Sequence, residues 1–409
     1  MPRIRTNILN PLDRDRLQLA KDQILTWSDG VITGIRPFDP ARDSDCEDRR
    51  DCLALPGLID LHVHLSQYRI RGRYEPELLA WLRKHVFPAE ALSRDPDYAR
   101  ELAHEFFYAL FAAGTTTAVI YTAPYETACE IAFEAAAELG ARALIGMTLM
   151  DANSPAELQQ STDYAYSRSV ELWQRWHQPD GLLDYVFTPR FALSCSETLM
   201  RRIGVFASEH RAWIQTHLSE NPEEIRQVHK RFGQASYTQV YADMGLLTPH
   251  SIFAHAIHLS EREIELLAAH GCKVAHCPDS NFFLKSGEFD YPALERQGVP
   301  IGIGSDVAAG SSLNMLYHAK LANYRQSVYP LAPERLLYHV TLGNAAILGL
   351  ADRIGSLQAG KQADICLLRL PEQPLPDADL PSALCFYGHE FSVAATFISG
   401  RKVYGGEKA

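Results

Sequence analysis

Six side chains far apart in the chain carry its most legible chemistry: His62 and His64 in a His-x-His pair, then His217, Glu220, His255 and Asp306. On a β-strand, residues i and i+2 project to one side because the period is two, so two imidazoles of one strand can meet a single ion. Imidazole and carboxylate donors together suit zinc or another first-row divalent ion. The donors fall at the ends of apolar, strand-like runs: Leu58–His64, Trp213–His217, Ser251–His255 and Pro300–Asp306. Glu220 follows His217 by three residues, at a strand-to-helix turn. A carboxylate placed there can face an ion's water without binding the ion, as a proton shuttle must. Arg190 and Phe191 follow another run, Tyr185–Phe187, and could hydrogen-bond and stack on a flat heterocycle. Gln67, three positions after His64, could read a polar ring edge with its amide. No lysine occurs near the end of that Tyr185–Phe187 run, which argues against a carbamylated lysine bridging two metals and for one ion per chain.

Taken singly, each of these has an ordinary structural reading. A chain with 16 histidines can hold a His-x-His by chance, Asp306 could cap a helix, and Glu220 could be a first-turn acid. The joint placement at strand ends is what argues for a metal site. His85, His104, His177, His210 and His229 fall in helical or loop stretches and take the structural reading.

Positioning these groups needs a scaffold that gathers strand ends. From about Leu55 to Leu350 the sequence alternates strand-like runs with amphipathic helical stretches. The runs begin with Leu58–His64, Thr115–Tyr121, Ala143–Met147 and Tyr185–Phe187, and continue with Trp213–His217, Ser251–His255, Lys273–His276 and Pro300–Asp306. Such alternation means parallel β-α-β units, and this many units fit an α/β chain closed into a (β/α)8 TIM-like barrel, whose active sites lie where the strands' carboxyl ends converge. An open doubly wound sheet would alternate in the same way. Short strands and turns dominate both chain ends, which predicts a small β-sandwich built from both. The expected division is 1–54 and 353–409 for that sandwich and 55–352 for the barrel.

Composition narrows the function classes. The 409 residues include 50 acidic and 39 basic side chains, a formal net charge of −11, which argues against a nucleic-acid partner. No apolar run approaches the ~20 residues that span a bilayer, and the first residues lead into a polar stretch rather than a signal-peptide core. The expectation is a cytoplasmic enzyme acting on a small molecule. Eight cysteines without a Cys-x-x-Cys exclude a zinc ribbon and also the deaminases that bind zinc through His-x-Glu and Pro-Cys-x-x-Cys. Most read as small core residues.

The segment Leu55–His64 resembles the first-strand signature of the amidohydrolase superfamily, and Gly355–Asp364 resembles that superfamily's return to its small β domain. Within it, Ser66-Gln67-Tyr68, Thr188–Phe191, Thr216–Asn221, His276–Asn281 and Ser305–Gly310 are similar to guanine deaminases. The resemblance covers nearly the whole chain and implies one Zn2+ per chain held by His62, His64, His217 and Asp306, with His255 binding it or its water. It also implies Glu220 as the shuttle, Asp306 and His255 as groups that orient water, and Gln67, Arg190 and Phe191 as a guanine pocket, with His217, Glu220 and His255 also facing the substrate. The product would be xanthine with ammonia, and the assembly a homodimer. Two positions depart from the family pattern: Ala309 stands at a usual glycine, and Ala256 follows His255 where glycine is common. They leave room for a sister aminohydrolase acting on 8-oxoguanine, a pterin or a triazine. A catalytically dead scaffold should have lost ligands, and none is missing.

Overall fold

The computed structural model describes residues 2–405 apart from Pro179, Ala235 and 372–374. Its centre is a sheet of eight parallel strands in sequence order. They are Leu58–His64, Thr115–Tyr121, Arg142–Gly146, Leu183–Pro189, Trp213–Leu218, Ser251–His255, Lys273–His276 and Ile301–Ile303. A short strand, Thr148–Leu149, adds to the fourth. The last strand closes onto the first: Asp306 N–H donates to His62 O at 2.8 Å, and His64 N–H donates to Val307 O at 2.9 Å. This is the (β/α)8 barrel that the alternation implies, and not an open sheet.

Asn344 stitches the seam. Its Nδ2 donates to Ile59 O and Ile303 O at 2.8 and 2.9 Å, while its Oδ1 accepts from Ile303 N at 3.2 Å. Gly304 lets the two strands approach there, since a Cβ would lie 2.7 Å from the His62 Cβ. The eighth strand is shorter than its apolar run, so Asp306 stands three residues past it, on a loop rather than at a strand end.

Two hydrophobic layers follow from the strand pattern. Ile59, Leu61, Val119, Leu144, Val186 and Ile252 fill the barrel interior. Phe106, Phe107, Phe111, Phe133 and Tyr185 pack between the barrel and its helices. Helix Pro96–Ala112 is typical of these. Asp95 caps it by accepting from Asp97 N, and its buried face carries Leu102, Phe106, Phe107 and Leu110 at helical spacing.

Both chain ends join one seven-stranded sheet. The order runs Arg401–Tyr404, Val393–Ile398, Ile365–Arg369, Glu47–Pro56, Arg3–Asp13, Arg16–Ser28 and Val31–Pro37. Arg142 welds it to the barrel: its guanidinium donates to both Asp364 oxygens at 3.0 and 3.1 Å. All eight cysteines are free, and all but Cys46 are buried. Among the described residues no helix is long and apolar enough to cross a membrane.

Candidate metal centre and its pocket

The first barrel strand turns His62 and His64 inward through an irregularity. Ile59 and Leu61 point into the interior, and Val63 packs with the outer layer. Between Asp60 and Val63 the pairing register shifts, which resets the alternation so that both histidines meet the same cluster. Buried Asp60 supports that bend, its Oδ1 accepting from His62 N at 3.1 Å and Ser305 N at 2.9 Å.

His62, His217, His255 and Asp306 place one donor atom each within 4.8 Å of the others. His64 joins them edgewise, its Nε2 lying 3.2 Å from both the Asp306 Oδ1 and the His62 Nε2. His62 Nε2 is 3.3 Å and His255 Nε2 3.7 Å from Asp306. Two of these donors and one neighbour sit on costly backbone: His255, Asp306 and Ala256 adopt φ of 69°, 48° and 50°, in the left-handed region. Such strain gathers where a site dictates conformation. It also explains the usual glycine after His255, because Ala256 pays a Cβ penalty that glycine avoids. Ala309 has no such strain; its methyl simply lines the pocket.

Two neighbours set the imidazole faces. His217 Nδ1 donates to Arg190 O at 2.6 Å and His255 Nδ1 bonds Asn281 Oδ1 at 2.9 Å, so the Nε2 atoms are left for the cluster. The His255 Nε2 is buried and has no hydrogen-bond partner among the described residues. Burial holds His62 below the usual imidazole range, brings His64 down to about 3, and with the neighbouring imidazoles keeps His217 far down. Burial pushes Asp306 up, yet hydrogen bonds from His62 and His64 outweigh it and hold the carboxyl well below its ordinary value. Neutral imidazoles around an ionised carboxylate are the protonation states a divalent ion requires. With the orphaned His255 Nε2, this donor set fits a metal ion.

Glu220 Oε2 lies 3.6 Å from His255 Nε2, and Ser286 Oγ donates to its other oxygen at 3.3 Å. Burial, then the Asp306 charge, raises its pKa well above the ordinary carboxyl value. Glu224 holds the turn, accepting from Glu220 N at 3.1 Å and from Tyr237 Oη at 2.8 Å.

A pocket of about 420 Å³ opens over the cluster, with Gln67, Arg190, Phe191 and Glu220 in its wall. Gln67 comes from the 3-10 turn Leu65–Ile70 that follows the first strand, and Arg190 and Phe191 follow the fourth. The structure thus gathers every residue singled out above. It adds others that the sequence reading missed. Trp81 and Leu82 complete the apolar wall, and Glu90 lies behind Gln67 and Arg190. Asn281 stood in a segment marked by the family resemblance. Glu90 had no signal, being one acid of an amphipathic stretch.

This constellation defines a metal-dependent hydrolase site at the mouth of a barrel, and the comparisons agree. The amidohydrolase family pattern matches residues 53–403. The chain belongs to the amidohydrolase family. It is 35% identical over 375 residues to the guanine deaminase of Escherichia coli, covering 87% of this chain and 84% of that protein. The solved E. coli guanine deaminase superposes with a TM-score of 0.94 at 31% identity, over 99% of this chain and 100% of that one. Guanine deaminase from C. acetobutylicum with guanine in its active site gives 0.92 at 25% identity, over 98% and 100%. An adenosine deaminase from Xanthomonas campestris with bound zinc gives 0.86 at 27%, over 98% and 92%.

Proposed function

We propose that the protein is a guanine deaminase, hydrolysing guanine to xanthine and ammonia with one zinc ion per chain. The observation that carries this is the convergence, in one pocket, of the His/Asp donor set, the buried Glu220 carboxyl and the polar wall of Gln67 and Arg190 beside the Phe191 ring. His62, His64, His217 and Asp306 would hold the ion, with His255 binding it or orienting water. A bound zinc ion supplies Lewis acidity, lowering the pKa of water toward ~7 so that hydroxide is available at neutral pH.

The residues divide the remaining work. Asp306 and His255 orient the attacking water toward the ring carbon bearing the exocyclic amine, and Asp306 takes its proton. Glu220 gives its proton to the adjacent ring nitrogen, takes up the hydroxyl proton of the resulting tetrahedral carbon and passes it to the amine, which leaves as ammonia, and the proton held by Asp306 then restores Glu220. Arg190 and Gln67 hydrogen-bond the purine's oxo edge and Phe191 covers its face. Adenine lacks that oxo group, and a site built for it rejects such an analogue by ~10⁴ or more.

Metal-analysed protein incubated with guanine should release xanthine and ammonia in equal amounts, with about one zinc per chain. The Glu220→Gln variant should keep its metal and lose ~10²- to 10⁴-fold in kcat. Full activity in that variant would remove the shuttle role, and zinc-loaded protein inert toward guanine would remove the substrate. In the second case a sister aminohydrolase for 8-oxoguanine, a pterin or a triazine stands next, supported by the Ala309 methyl in the pocket wall. The family resemblance further supports a cytoplasmic homodimer, which sedimentation equilibrium tests.

A further inference from the structure

Glu90 is wholly buried, on the short helix Phe87–Leu92 that packs behind the pocket. Its two oxygens face two different pocket residues. Oε1 accepts from Gln67 Nε2 at 3.0 Å, and Oε2 accepts from Arg190 Nη1 at 2.6 Å. Gln67 and Arg190 are themselves buried, and they are the polar groups that the proposed function assigns to the purine edge. Met150 Sδ, 3.8 Å from Nη1, and the Phe87 ring, 5.4 Å from the guanidinium carbon, hold the arginine from its other sides.

This arrangement decides which way the Gln67 amide points. A carboxylate paired with a guanidinium is acceptor-only, so the amide atom facing it must be the NH2 group. The carbonyl Oε1 is thereby turned to the other side, toward the pocket. The guanidinium, tied through Nη1, keeps further N–H donors for a ligand. A wall with an acceptor beside donors complements a ring edge that offers N–H beside C=O. Guanine has that edge at N1 and C6. The same wall opposes a ring whose edge is reversed, with a bare ring nitrogen beside an amino group.

We propose that Glu90 is a positioning residue that sets the substrate specificity of the pocket by locking the Gln67 amide and the Arg190 guanidinium in one donor–acceptor pattern. The proposal rests on the guanine reading of the same site. It predicts that Glu90, without touching the substrate, governs the choice between guanine and 2,6-diaminopurine. The latter keeps the 2-amino leaving group and reverses the edge.

The test is the ratio of kcat/KM for guanine to that for 2,6-diaminopurine in the zinc-loaded enzyme and in Glu90→Gln. A glutamine can present either its carbonyl or its NH2 to Gln67, so the Gln67 amide becomes free to turn over. Guanine kcat/KM should fall by roughly tenfold or more, mainly through KM, while 2,6-diaminopurine falls less or rises, so the ratio narrows by about tenfold. Metal content should not change. A Gln67→Met change made in each background should cost much less specificity in Glu90→Gln than in the unaltered enzyme, because both changes act through one group.

Both substrates declining together, with the ratio unmoved, would overturn the proposal and leave Glu90 a packing residue. Should Glu90→Gln not accumulate as folded protein, Gln67→Met alone gives the reading. It removes the acceptor and leaves the Glu90–Arg190 pair intact, and an unchanged ratio there also overturns the proposal. The guanine assignment fails separately, on unaltered zinc-loaded enzyme that does not turn guanine over.

Discussion

Two buried arginine–carboxylate pairs stand at opposite ends of the barrel, and they are built differently. Arg142 and Asp364, each with 2% of its side chain exposed, join the start of the third strand to the terminal sheet. The guanidinium bonds through both Nε and Nη2: two bonds go to Asp364, further bonds from Nη2 to Gln362 and Ser399, and Ser399 N donates to Asp364 at 2.8 Å. Arg190 and Glu90, 4% and 1% exposed, stand at the mouth beyond the fourth strand. Among the described contacts, that guanidinium bonds through Nη1 alone, and the carboxylate is shared with Gln67. The same two charges make a weld when a bidentate pair and its neighbours tie two segments together. They make a recognition surface when donors are left over.

Removing one partner of the weld should produce the largest stability effect. Arg142→Ala leaves Asp364 buried and unpaired, and should cost about 3–5 kcal/mol in denaturant unfolding. The kcat of the protein that remains folded should not change, since nothing at that end faces the pocket. A drop in kcat with unaltered stability would reverse the assignment of the two pairs.

A titrating group sharpens the comparison at the closed end. His339, buried near the start of the eighth strand, contacts Tyr291 through Nε2. Burial, helped by the positive Arg335, lowers its pKa to about 4 from the ordinary 6.5. The unfolded chain therefore binds a proton between those values that the folded chain does not, so stability is full above pH 6.5 and falls as the pH drops toward 4. The loss amounts to about 3 kcal/mol. His339→Gln should flatten the unfolding free energy over that window. An unchanged slope would mean that the imidazole takes up its proton in the folded state.

The smallest stability effect is expected at the mouth. Arg190→Lys keeps a positive charge beside Glu90 and loses the planar fork of donors. Guanine kcat/KM should fall by roughly tenfold to a hundredfold, with only a slight shift in thermal unfolding. A destabilisation as large as that of Arg142→Ala would show that both pairs are welds.

The contrast between the pairs also marks how far the sequence could be read. His62, His64, His217 and His255 were legible because histidine is rare in apolar runs, and each stands at or just before the end of such a run. Asp306 was legible in kind but misplaced, since its apolar run continues beyond the three residues that pair as a strand. Glu90 was illegible: in Leu78–Leu92 it looks like any solvent-facing acid on a helix. Its importance comes from Arg190, one hundred residues further on. Asn344, which closes the barrel seam, was hidden for the same reason.

The sequence by itself determined the alternation of strands and helices, the donor types and the arrival of the histidines at strand ends, because hydrophobic periodicity and side-chain chemistry are local properties. The family resemblance extended that to a named reaction. Only the tertiary structure decided which carboxylate meets which arginine, which way the Gln67 amide faces, and where the backbone strains to aim His255 and Asp306. Those are contacts between segments far apart in the chain. Their energies depend on burial and on a partner's geometry, and neither is written in any one stretch of residues.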